Sequence, residues 1–246
     1  MPPLNQDMKT LLTVSPRYNE ISQFIESIPQ IFHSQGTLIY KARNEIKNFE
    51  VDGLRLTVKH YKKPHIINQI AYSSLRQSKA KRAYFYAQRL IETGIKTPEP
   101  VAYIEQYSNG LLTNAYFVSL FETYPHILRE LWGYSVEGNE PLLTALASYT
   151  ANMHNKNIYP VDYSPGNVLF DNQGEGYQFS LLDINRMRFR PVSKVMAARG
   201  FRRFHVQPDV LKAIAGEYAR LRGYDIPSFV TQTLHHYNAF WKRHQP

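Results

Sequence analysis

The chain of 246 residues contains no cysteine, which excludes disulfides and thiolate metal sites and fits a reducing compartment. It has no apolar run of membrane-spanning length. Its start, Met1-Pro2-Pro3-Leu4-Asn5-Gln6-Asp7-Met8-Lys9, lacks the basic segment and apolar core of a secretory signal. The expectation is a soluble cytoplasmic protein. Acidic residues are few: 20 Asp and Glu stand against 29 Lys and Arg, giving a formal net charge of +9. A field of that sign attracts polyanions, whether anionic lipid headgroups, phosphorylated sugars or nucleic acid. The 18 tyrosines could stack on bases, but they are spread over the chain and form no nucleic-acid module, so no nucleic acid is expected. Internal repeats and low-complexity tracts are also absent. What is present is 43% hydrophobic residues, enough for one large domain or two lobes.

The order of elements is uneven along the chain. Residues 1–14 read as a loose arm. Ser15-Pro16 opens a helix, with Ser as N-cap, Pro at the first helical position, and Ile21, Phe24, Ile25 and Ile28 as its apolar stripe. Strands are predicted over 37–41 and 46–51, and Asp52-Gly53 turns tightly into Leu54–Tyr61. In 74–93 the period becomes helical, with Ala80, Tyr84, Ala87 and Ile91 on one face and Gly94 as the stop. Two more strands, 101–104 and 115–120, are joined through Ser108-Asn109-Gly110. Beyond them helices are expected near 125–133, 139–155, 208–221 and from Asp225 to about Arg243. The predicted class is α+β: a β-rich lobe over 1–120 and a mostly helical lobe over 121–246.

The chemistry concentrates in Asp162-Tyr163-Ser164-Pro165-Gly166-Asn167, followed by Phe179-Ser180-Leu181-Leu182-Asp183. Phosphoryl transfer from a nucleoside triphosphate needs these residue types in this order. An Asp orients the attacking hydroxyl, while an Asn and a second Asp hold Mg²⁺ against the phosphates. Alone, D-x-x-x-x-N is also an ordinary turn. Its place after a predicted helix and before Val168-Leu169-Phe170 makes it a catalytic loop.

Val58-Lys59, the Asp162–Asn167 segment and Leu182-Asp183-Ile184-Asn185-Arg186 resemble the lipopolysaccharide-core kinases of the Kdo/WaaP type. These are distant relatives of protein kinases found in Gram-negative bacteria, and the resemblance spans roughly residues 35–240. It implies a bilobal protein-kinase-like fold, ATP and Mg²⁺ as cofactors, and heptose or Kdo of the lipopolysaccharide core as acceptor. It also implies residue roles: Lys59 on the α- and β-phosphates, Asp162 as catalytic base, Asn167 and Asp183 on the metal. A peripheral contact with the inner membrane surface fits such an acceptor.

The nucleotide cover is less defined, because no Gly-x-Gly-x-x-Gly is present. Ala42-Arg43-Asn44-Glu45 is the candidate phosphate loop, with a plain hairpin turn as the equal alternative. Adenine is expected against backbone groups near Ser119 to Glu122. Two positions depart from the related pattern. Pro160 stands where a loop-bracing His is expected, and Phe85 stands where a helix Glu pairs with the strand lysine. Glu92 lies on the same helical side as Phe85, about 10 Å along the axis.

The basic run Arg186, Arg188, Arg190, Lys194, Arg199, Arg202, Arg203 is either a solvated face or a seat for an anionic sugar or lipid headgroup. Arg76, Lys79, Lys81, Arg82 and Arg89 could add a membrane-facing patch. His154 is expected to cap or pack, and His235-His236 do not share a helical face. The alternatives to a sugar kinase are a pseudokinase serving as a binding module, and a kinase for a protein or small molecule.

Overall fold

The computed structural model describes residues 8–42, 44–62, 77–172, 174 and 176–244. Packing divides the chain into two units: Met1–Glu92 with Pro98–Glu122, and Thr93–Thr97 with Thr123–Pro246.

The first unit is built on an antiparallel sheet of β1 (Met8–Val14), β2 (Thr37–Lys41), β3 (Asn44–Val51), β4 (Leu54–Tyr61), β5 (Pro100–Ser108) and β6 (Leu111–Leu120). Its spatial order is β1-β5-β6-β4-β3-β2. Two hairpins close on residue pairs that accept positive φ, Asp52-Gly53 (48° and 76°) and Asn109-Gly110 (49° and 74°). This backbone twist matches that of the flanking strands. Residues 8–14, expected as a loose arm, instead pair with β5 from Met8↔Ser108 to Val14↔Ala102. Their N-terminal half is solvent-exposed, so an edge strand leaves little burial pattern in the sequence.

Period-two alternation along β4 sorts the two faces of this sheet. Leu56 and Val58 pack beneath a 3₁₀ turn (Pro16–Ile21) and α1 (Ser22–Ile31), joining Ile25, Ile28, Phe32, Phe49, Tyr116 and Val118 in one core. Each such fully buried side chain stabilises by about 1.5–3 kcal/mol. Lys47 on β3 is buried here because its ammonium donates to the carbonyls of Phe32 (2.6 Å) and Gln35 (2.9 Å), at the C-terminal end of α1. There the helix dipole favours a cation. The opposite face carries Lys59 and is covered by α2 (Lys79–Glu92). Ala80 and Tyr84 of α2 pack with Tyr61, Tyr103 and Ala115.

The second unit holds a short β7 (His126–Ile127), a 3₁₀ turn (Leu128–Gly133), α3 (Glu140–Asn155) and β8 (Ile158–Pro160). After these come β9 (Val168–Asn172), β10 (Tyr177–Leu181), β11 (Met187–Phe189), α4 (Lys194–Gly200), α5 (Pro208–Leu221) and α6 (Ile226–Trp241). The helix expected near 125–133 is only that 3₁₀ turn, entered from β7, with the Glu130 carboxylate accepting from the Ile127 N–H (3.0 Å). The α4 helix was not anticipated, because its basic residues mask its period. Ser193 caps it by accepting from the Met196 N–H (3.3 Å).

As expected, His154 packs: it is buried at the end of α3 with Nδ1 2.7 Å from the Tyr218 hydroxyl of α5. Burial, reinforced by Arg222, lowers its pKa to about 3. Among the described residues no helix is long and apolar enough to cross a membrane.

Candidate active site

The catalytic loop follows from local chemistry. β8 ends at Pro160, whose fixed φ suits an extended strand end. The next donor, the Val161 N–H, bonds to the Arg186 carbonyl (3.0 Å), continuing the β8–β11 ladder. Ser164-Pro165-Gly166-Asn167 then forms a single 3₁₀ turn closed by the Asn167 N–H on the Ser164 carbonyl (2.9 Å). Tyr163 is buried, its hydroxyl 2.9 Å from Thr150 Oγ1 of α3, and burial raises its pKa. A Cβ at Gly166 would meet Arg129 Nη2 at 2.6 Å, so the Arg129 guanidinium lies against the loop.

Within this unit the structure places Asp162, Asn167 and Asp183 on connected backbone. The Asn167 amide nitrogen donates to the Asp162 carbonyl (3.0 Å). The Asn167 carbonyl accepts from the Leu182 N–H (2.7 Å), so the loop is stitched to the residue before Asp183. Asp183 follows β10 at φ 51°, an uncommon conformation for a residue with a side chain, and one that Asp tolerates better than most. Asn185 Nδ2 donates to Asp183 Oδ1 at 2.6 Å. The strand entering this turn is fixed from the other side. The Leu181 N–H bonds to the Lys96 carbonyl (2.9 Å), and Thr97 Oγ1 donates to the Leu181 carbonyl (2.6 Å).

Two guanidiniums grip Asp162. Arg186 Nη1 donates to Oδ2 (2.9 Å) and Oδ1 (3.3 Å), and Arg203 Nη2 lies 3.2 Å from Oδ1. The basic run is therefore neither a uniform solvated face nor a uniform anion seat. Arg186 and Arg203 serve the loop, Lys194 donates to Ser228 Oγ (3.1 Å), and Arg202 donates to the Arg199 carbonyl (2.9 Å). Arg129 and a role for Asn185 were not read from the sequence, and Arg186 and Arg203 were read only as members of the basic run, without their contact to Asp162. For Asn185 and Arg186 the signal was present, as the two residues nearest the metal-type Asp. For Arg203 and Arg129 no local signal exists.

The first unit holds the remaining expected residues. Lys59 lies half-buried on β4, opposite Ile46 and Phe117, with Nζ 5.4 Å from the Tyr61 ring centre. Phe85 projects from α2, 42% exposed, its ring centre 5.3 Å from Tyr84 and 6.0 Å from Tyr103. In register, Lys59, Phe117 and Tyr103 form one row across three strands, so Phe85 stands over a residue two strands from Lys59. Glu92 is the exposed last residue of α2.

Arg43 and Arg76 lie outside the described residues. Asn44 opens β3, its carbonyl accepting from the Ala42 N–H (3.0 Å). Lys62 Nζ closes that loop on the Ala42 carbonyl (3.0 Å). Ser119 is buried on β6 opposite Thr57, and Glu122 is the last residue of the unit. The adjacent Leu120 and Phe121 N–H groups are spent on the Glu99 and Arg55 carbonyls (2.9 and 2.8 Å). Lys79 and Lys81 lie half-buried near the Tyr61 and Tyr103 rings (5.9 and 6.0 Å) rather than fully in solvent. A separate groove of about 440 Å³ in the second unit, lined by Lys96, Tyr124, Tyr149, Asn152 and Gln178 among others, includes none of Asp162, Asn167 and Asp183.

An antiparallel sheet with a helix bearing on the lysine strand, and a helical unit with a D-x-x-x-x-N loop and a following Asp, define a protein-kinase-like phosphotransferase. The family model for the lipopolysaccharide kinase (Kdo/WaaP) family matches residues 35–212, and the chain belongs to that family. Among solved structures it is similar to WaaP in complex with acyl carrier protein, with TM-score 0.63 and 16% identity over 94% of this chain and 99% of that one. More distant similarities are to the bifunctional kinase-methyltransferase WbdD (TM-score 0.45, 16% identity, 79% of this chain and 42% of that one). The Mycobacterium tuberculosis PknI kinase domain is also similar (TM-score 0.40, 12% identity, 81% and 94%). No curated protein matches the sequence.

Proposed function

We propose that this phosphotransferase uses ATP and Mg²⁺ to phosphorylate a sugar hydroxyl, on heptose or Kdo, of the lipopolysaccharide core. The observation that carries this reading is the Asp183-Ile184-Asn185-Arg186 turn. Asn185 fixes the metal-type carboxylate, while Arg186 fixes the acceptor-type carboxylate of Asp162. One short segment sets both groups on which in-line phosphoryl transfer depends.

The donor set fits Mg²⁺, since the Asp183 carboxylate and the Asn167 amide oxygen are hard oxygen ligands and phosphates supply others. When bound, Mg²⁺ supplies charge neutralisation on the phosphates. Asp162 orients the acceptor hydroxyl and takes its proton. The loose transition state asks for positioning more than for a strong base, which suits a carboxylate fixed at both oxygens. Lys59 neutralises phosphate charge, and the Ala42–Glu45 loop with the Ser119–Glu122 segment contacts the nucleotide. The net charge of +9 favours an anionic acceptor and a peripheral position at the inner membrane. By analogy with WaaP we extend the proposal to a complex with acyl carrier protein, which native mass spectrometry of the purified tagged chain with added acyl carrier protein tests.

The test is thermal unfolding with and without Mg²⁺-ATP, combined with transfer of the γ-phosphate to deacylated core oligosaccharide. At about 100 times Kd the nucleotide stabilises by about 2.7 kcal/mol. Asp183→Ala removes the Mg²⁺-dependent part. Absence of any Mg²⁺-dependent shift in the wild type would falsify the reading. A shift without transfer would favour a pseudokinase.

A further inference from the structure

The chain has two tryptophans, Trp132 and Trp241, 109 positions apart, and the fold brings both into one ring ladder. The His205 ring lies between them, 3.9 Å from Trp132 and stacked on Trp241 at 4.3 Å and 26°. Trp132 is 53% exposed, an unusual position for the largest apolar side chain. The ladder continues toward the catalytic base. The Phe240 ring is 5.3 Å from Trp241, the Arg203 guanidinium is 5.5 Å from Phe240, and Arg203 Nη2 is 3.2 Å from Asp162 Oδ1. The 3₁₀ turn that carries Trp132 also carries Arg129, which lies against Gly166 of the catalytic loop. The exposed ring is thus tied to the base along two routes, both within the second unit.

We propose that Trp132, with His205 and Trp241 behind it, is the stacking platform for a pyranose ring of the acceptor, and that Arg186 takes an anionic substituent of the same oligosaccharide. The proposal rests on the sugar-kinase reading and deepens it by naming where the acceptor lies. The C–H face of a pyranose carries partial positive charge and is complementary to the negative face of an aromatic ring. Stacking behind Trp132 restricts that ring, so less conformational freedom is lost when a sugar is bound. Arg186 is 56% exposed and engages Asp162 through Nη1 alone, which leaves the rest of its five-donor fork for a carboxylate or phosphate. A neutral sugar would stack without using that charge, so the preferred acceptor is anionic before it is phosphorylated.

Because both tryptophans belong to the platform, intrinsic fluorescence reports acceptor binding without ATP and without turnover. Deacylated core oligosaccharide is expected to change the emission saturably, and a neutral maltooligosaccharide of similar length to change it far less. Trp132→Ala is expected to raise KM for the oligosaccharide about tenfold or more while kcat falls less, and Trp132→Tyr to recover most of the affinity. Phosphatase-treated and carboxyl-reduced oligosaccharides separate the two anions, since the form that loses affinity for wild type but not for Arg186→Gln carries the group that Arg186 reads.

If the wild type transfers phosphate and Trp132→Ala does so with unchanged KM, the platform is overturned while the kinase reading stands. Saturable emission changes without transfer would instead retain the platform and remove the kinase reading. Equal affinity of all anionic and neutral forms overturns the role of Arg186. No emission change and no transfer overturns both.

Discussion

Asp162 in the second unit is held at both carboxylate oxygens by two guanidiniums, and the backbone of its loop is tied to β11 and to the Asp183 turn. Lys59 in the first unit lies half-buried on the sheet face beneath a helix that presents Phe85 where related kinases present a carboxylate. One half of the machinery is over-determined; in the other, Phe85 occupies the helix position of the customary Glu. The difference separates the two departures from the related pattern. The brace expected from a His at position 160 is supplied by Arg186, through its carbonyl on Val161 and its side chain on Asp162. For Phe85 the structure offers aromatic packing on Tyr84 and Tyr103, which positions the helix but adds no charge near Lys59.

The comparison can be broken most sharply at Asp162. Asp162→Ala should lower kcat about 10³-fold with little change in ATP affinity, read by γ-phosphate transfer together with a nucleotide titration. An equal loss of ATP affinity would mean that the two units do not divide the work as described. Arg186→Gln is expected to lower kcat about 30-fold, or about 2 kcal/mol, with Arg186→Lys recovering only part because a single ammonium cannot replace the fork. Full activity in both variants would show that Arg203 alone suffices.

Acid stability sharpens the contrast at the level of folding. His154 is neutral in the fold with a pKa of about 3, below its unfolded value of 6.5. Between those values only the unfolded chain takes the proton, so stability is complete above pH 6.5 and falls as the pH drops below it. From pH 7 to pH 5 this one group costs about 2 kcal/mol. His154→Gln should flatten the slope of urea midpoints over that interval. His60 in the first unit is also lowered by burial, but its bond to Asn114 (3.1 Å) opposes the shift, so His60→Gln should flatten the slope less. The smallest effect is expected at Glu92, exposed at the end of α2: Glu92→Ala should leave KM for ATP within about twofold. A loss matching that of Lys59→Ala would reveal a helix shift that pairs the two.

Much of the fold was legible because its signals are local. Asp52-Gly53 and Asn109-Gly110 announce hairpins, alternation in Leu54–Tyr61 sorts a sheet face, and Asp225 can cap the helix that follows it. The β1 edge strand was not legible, since half of it faces water and its partner, β5, begins almost ninety residues later. The 3₁₀ turn at Leu128–Gly133 read as a helix because one turn of either kind has the same short apolar spacing.

The sequence by itself determined which residue types could perform phosphoryl transfer and in what order: Lys59, Asp162, Asn167 and Asp183. Motif spacing is set by the length of a turn or a hairpin, and these are local quantities. Only the tertiary structure decided what holds those residues. Arg203 reaches Asp162 from 41 positions away, Arg129 fills the space left open by Gly166, and two distant tryptophans meet on either side of His205. Side chains that far apart meet only when helices and strands have packed, because burial of the core, not any pairwise attraction in the unfolded chain, brings them together.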